Sequence, residues 1–242
     1  MFRRLVQYGS DNVWHAVLRC KQVVRFWVAI SMLVAVAVDV PTVPSWAAEE
    51  IPTVEGITAA LMTRDIYRIQ RTLKITTVRV LSDRSGRKQF IIDLWRDEGL
   101  KYPNLPWDII TSVQVRVYLA NILVPVAQTG RDGLNSNDFL NYAWDAAESP
   151  DDEVVRVAFN VIAGFDEARV VQRIENYLSE QQRGTYASFY GAVWALAEMC
   201  NKDASRLLDK LETQEIDRER LEIIAEARQQ WEVQKKRSNY CK

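Results

Sequence analysis

Ser85, Gly86, Arg87 and Lys88 reproduce the Ser-x-x-Lys spacing of penicillin-binding serine enzymes, which sets a lysine one helical turn from a nucleophilic hydroxyl to take its proton. No Lys-Thr-Gly follows and the chain is short for that fold, so Ser85 reads as a helix cap or turn residue. The single histidine, His15, lies in an N-terminal segment expected to be removed. What remains has no imidazole base, no His-containing triad and no His metal ligand, which removes most hydrolase and zinc-site readings. Glu198, flanked by Ala195, Leu196 and Met199, is the one acid with the apolar surroundings a general acid needs, and a His-free cell-wall glycosidase is the enzymatic alternative. The glycines stand singly, with no phosphate-cradling loop. The expectation is no catalytic residue, no cofactor and no metal.

Two other sets of residues point to recognition and to cross-linking. Tyr186, Tyr190 and Trp194 recur every four residues and share one helical stripe; Phe189, Val193 and Leu196 form a second. One stripe is expected in the core and the other can face outward, where Tyr and Trp supply binding hot spots. The alternative buries both between stacked hairpins. Cys200 and Cys241 are the two cysteines left once Cys20 is cut away, and an even count in an oxidising compartment favours a disulfide between them. Two free thiols are the alternative.

The elements that must carry these residues read as helices, because apolar positions recur at three and four and two-residue alternation is almost absent. Helices are predicted at about 54–74, 86–98, 112–128, 137–147, 152–163, 167–178, 186–200, 202–213 and 218–236. Ser149, Pro150, Asp151 and Asp152 supply a cap, a first-turn proline and acids for the positive end of one helix, with Gly164 as its stop. Only Thr76 to Leu81 is β-branched enough for a short strand, and it stays undecided. The fold class is all-α: stacked antiparallel hairpins or an irregular helical bundle.

The N-terminus reads as a bacterial-type secretory signal. Arg3, Arg4, Arg19, Lys21 and Arg25 precede an apolar run from Phe26 to Val38, and Ser45, Trp46 and Ala47 form a small-residue cleavage site. The run is too short for a membrane span and ends in Asp39, so contact with a membrane is expected only before cleavage. The domains are thus a leader, 1–47, and one helical domain, 48–242, periplasmic or secreted. Cleavage removes five basic and two acidic residues and takes the formal charge from −1 to −4. A mildly acidic chain without a Lys/Arg block lacks the electrostatic footprint for nucleic acid.

Val115-Arg116-Val117 with Ile122 returns 40 residues later as Val155-Arg156-Val157 with Ile162, each on the second helix of a hairpin. A looser frame continues through Ala192 to Leu196 and Leu221 to Ala225. Such periods signal a helical solenoid. On these residues the chain resembles the HEAT-like repeat superfamily over about 107–236: Val115-Arg116 with Leu123 and Val155-Arg156 with Gly164 fit its apolar-Arg and Leu-Gly outline. Leu119 and Phe159 stand where that family has Ala, and the later units lack the Arg. The resemblance implies a curved stack with a protein-binding or peptide-binding side and no catalytic residue. The function read from the whole is a non-catalytic exported protein that binds another protein as adaptor, assembly factor or inhibitor; the alternatives are the glycosidase and a carrier of an apolar ligand.

Overall fold

Eleven helices and no strand form among the residues that the computed structural model describes, which are 52–76, 86–130, 132–180 and 185–237. They are α1 (Val54–Met62), α2 (Ile66–Thr76), α3 (Arg87–Trp95), α4 (Trp107–Ile110), α5 (Val113–Gln128), α6 (Ser136–Ala146), α7 (Asp152–Gly164), α8 (Ala168–Glu180), α9 (Tyr186–Glu198), α10 (Lys202–Gln214) and α11 (Arg218–Arg237). The leader with its cleavage site, Ser85, most of the undecided stretch 76–81 and Cys241 lie outside the described residues. Residues 50–242 form one compact unit. Among the described residues no helix is long and apolar enough to cross a membrane.

Packing arranges the helices in two layers. In one, α2, α5, α7, α9 and α11 each pack on the next; in the other, α3 lies on α5, α6 on α5 and α7, α8 on α9 and α10, and α10 on α9 and α11. The sequence differs between layers as burial requires. In α7, Val154, Val155, Val157, Ala158, Phe159, Val161 and Ile162 are all buried, because α5, α6 and α9 enclose the helix on three sides. A β-branched run is a modest helix former, and this tertiary enclosure overrides that propensity. The second-layer helix α8 buries only Val170, Val171, Ile174 and Tyr177 and shows solvent a polar face.

Several boundaries depart from the sequence reading. The single helix expected over 54–74 is broken at Thr63–Asp65, where Arg64 takes a left-handed φ of 58°. The Thr63 hydroxyl donates to the Ala60 carbonyl and Asp65 accepts from the Arg68 amide, so two side chains end one helix and start the next. The helix expected to reach residue 98 stops at Trp95, and the four-residue α4 was not foreseen. At the start of α7 the cap is Asp151, which accepts from the Glu153 and Val154 amides at 3.0 and 3.3 Å. Pro150 therefore stands outside the first turn. Gly164 does not stop the helix but belongs to it: a Cβ there would lie 2.5 Å from Val124 Cγ1, so its lack of a side chain serves the approach of α7 to α5.

Candidate functional site

The two stripes of α9 differ in burial. Phe189, Val193 and Leu196 are buried, whereas Tyr186 is 61% exposed and Tyr190 and Trp194 are half-buried. Four residues rise about 6 Å along a helix, the right interval for successive rings to touch. Tyr186 stacks on Tyr190 with centroids 6.1 Å apart and planes 22° apart, and Tyr190 meets Trp194 at 5.7 Å. The Trp194 indole N–H is buried and has no hydrogen-bond partner among the described residues.

The ladder faces the start of α7 across a hollow of about 380 Å³ lined by Asp152, Glu153, Arg156, Tyr186, Ala187 and Tyr190. Residues from the first turns of both helices share it, so α7 and α9 run in the same direction with α8 connecting them. The hollow is walled chiefly by apolar atoms: two rings, the Ala187 methyl and the stems of charged side chains.

One wall is fixed by a polar group that crosses helices. Arg156 Nε and Nη2 donate to the two carboxylate oxygens of Glu153 at 2.8 and 2.5 Å, and the Tyr118 hydroxyl of α5 donates to the same carboxylate. The hydrogen bonds from Arg156 hold Glu153 below the usual carboxylate range despite its partial burial. Burial, and then the bond to Glu153, push the Tyr118 hydroxyl well above an ordinary phenol. The two arginines equated by the 40-residue offset thus differ in role. Arg116 donates to the Trp95 carbonyl at 3.0 Å and lies over the Trp95 ring at 4.6 Å, toward the other layer.

Glu198 continues the α9 ladder one turn beyond Trp194. Its side chain reaches solvent, yet surrounding protein pushes its carboxyl above the ordinary value, with Arg156 opposing the shift. Cys200 is half-buried just past α9, and its backbone N–H donates to the Asp166 carboxylate. Lys88 of the Ser-x-x-Lys sequence pairs with Asp132 at 3.0 Å. No group of three His, Cys, Asp or Glu suited to a metal occurs among the described residues.

A buried ionic cluster went unforeseen in the sequence. Asp93 is 1% exposed and accepts from Gln89 at 2.7 Å, from Tyr102 at 2.9 Å and from Lys101. Burial alone raises its pKa, but the three hydrogen bonds, Lys101 foremost, outweigh that and hold it below the usual aspartate value. The cluster ties the connection after α3 back onto that helix. Its one sequence signal is an acid inside the apolar run Phe90–Trp95.

Comparison with known proteins finds no match among family models, curated proteins or solved structures.

Proposed function

We propose that the chain is an exported, non-catalytic helical protein that binds another protein through the α7–α9 face. The observation that carries this reading is the aromatic ladder of Tyr186, Tyr190 and Trp194, whose outer end, the exposed Tyr186 with Tyr190, lines an apolar hollow. Rigid rings bring large contact area at small entropic cost, and Tyr186 at the outer end of the ladder is largely open to a partner. The order of packing supports reading the chain as a HEAT-like stack of hairpins: α5, α7, α9 and α11 follow one another in one layer at sequence offsets near those of the repeat.

Export through the leader and a Cys200–Cys241 bridge complete the proposal. Phe189 near the start of α9 lies under Arg220 near the start of α11, at 4.7 Å, so these two helices also run alike. The end of α11 therefore points toward the side of the stack where Cys200 follows α9, and a bridge requires the four residues from 238 to 241 to cover roughly 10 Å between helix axes, a distance within the reach of an extended chain.

The test is capture from a periplasmic extract with the purified protein and its Tyr186→Ala, Tyr190→Ala, Trp194→Ala variant. A protein retained by the first and lost from the folded second supports the reading; equal retention by both ends it. A peptidoglycan-digestion assay run beside it with Glu198→Gln addresses the glycosidase.

A further inference from the structure

We propose that the hollow between α7 and α9 receives an arginine or lysine side chain presented by the partner; this deepens the protein-binding reading and rests on it. The shape suits a long stem ending in a cation. Tyr186 and Tyr190, stacked on each other, line it together with Ala187, and the exposed Asp152 adjoins them. Alkyl carbons can lie against the rings while the charge reaches the rim, the arrangement that long cationic side chains adopt at apolar surfaces.

The local balance of charge decides the sign of the ligand. Glu153 is neutralised by its two-pronged bond to Arg156, with Lys74 of α2 adding a favourable field. Asp151 is committed to the α7 cap. The positive end of α7, roughly half a charge, is met by these acids. No described residue pairs with Asp152, which lines the hollow. Among the described residues that line the hollow, the carboxylate without a cationic partner is Asp152, and an anionic side chain entering there would meet it while Arg156 is engaged by Glu153. A neutral apolar group would fill the hollow but leave Asp152 unanswered.

The experiment titrates the protein, as the cell processes it, with N-acetylarginine amide, the citrulline and norleucine analogues, N-acetylglutamate amide and chitotriose. The readout is the nuclear magnetic resonance of ring-labelled tyrosines, with Tyr186 and Tyr190 assigned by single Phe substitutions. Saturable shifts of both rings with the arginine probe are expected, with affinity about two- to fivefold above citrulline, the range one exposed ion pair with Asp152 supplies. Added salt should reduce that preference. Asp152→Asn, which leaves the Asp151 cap in place, should remove most of it while the helical circular dichroism stays unchanged. Equal affinity for citrulline or norleucine, a preference for glutamate, shifts with chitotriose alone, or no shift with any probe each overturns the proposal. Partner capture that survives the triple aromatic substitution overturns instead the reading beneath it, whatever the probes do.

Discussion

Gly191 of α9 lies over the ring of Phe159 of α7, so close that a Cβ on the glycine would stand 2.6 Å from Phe159 Cδ2. The ring has little freedom to yield: it is 1% exposed and held edge-on by Trp144 and Tyr177 at 6.1 and 5.4 Å. A glycine in mid-helix costs about 1 kcal/mol relative to alanine, and here the close approach of two first-layer helices offsets that loss.

Gly191→Ala should therefore destabilise the fold although it improves helix propensity. Overpacking of about 1–3 kcal/mol against a gain of about 1 leaves a net loss of up to about 2 kcal/mol, a fall in Tm of a few degrees. Gly164→Ala, which meets Val124 at 2.5 Å, should act in the same direction. Thermal unfolding followed by circular dichroism measures both, and a raised Tm would show that the rings and methyls give way.

Asp93 makes stability depend on acid pH. Its folded pKa lies below the unfolded value of about 3.9, so the unfolded chain takes up the proton first. Its contribution is complete above the unfolded pKa and is lost as pH falls toward the folded one. Asp93→Ala should cost about 1–3 kcal/mol at neutral pH, leave the Tyr102 hydroxyl without its acceptor, and flatten the decline below pH about 4. Denaturant unfolding at a series of acid pH values tests this; an unchanged slope refutes it.

A buried phenol, Tyr118, and a half-buried one, Tyr142, make stability depend on alkaline pH. Burial pushes Tyr142 up to about 12, partly opposed by Arg116, and Tyr118 higher still. The folded state holds these protons more tightly than the unfolded chain, so their contribution is present below pH about 10 and is lost as pH rises above it. Ultraviolet titration of the phenolates should show a late component that shrinks in Tyr142→Phe and in Tyr118→Phe.

Within the aromatic ladder, the stability cost of truncation should follow burial. Tyr186→Ala should stay within about 0.5 kcal/mol of the parent because its ring is 61% exposed. Trp194→Ala should cost more, its indole N–H being already enclosed. The reverse order, measured by urea unfolding, would place the binding surface elsewhere.

If Cys200 and Cys241 are joined, closing a loop of about 40 residues stabilises the fold by about 4 kcal/mol in the chain-entropy account, less any strain. Labelling the unfolded, unreduced protein should then find no reactive thiol in the processed chain. Reduction or Cys241→Ser should speed hydrogen exchange in α10 and α11 before the helices that carry Arg116 and Arg156.

The all-helical fold was legible because its signals are local. The three- and four-residue recurrence marks α8 and α10, Asp151 with the acids after it marks the start of α7, and two stripes on α9 announce that one can face outward. The break at Arg64 was missed because Thr63 and Asp65 compete with helix through side-chain bonds that an apolar pattern does not register. The site needed the fold. Tyr118 and Glu153 are 35 residues apart, Gly191 and Phe159 are 32 apart, and the hollow exists only where α9 lies beside α7. Periodicity states which face of a helix is apolar; which helix covers that face, how close the backbones come and which charges are left unpaired at the rim depend on packing between distant segments, and these the tertiary structure alone decided.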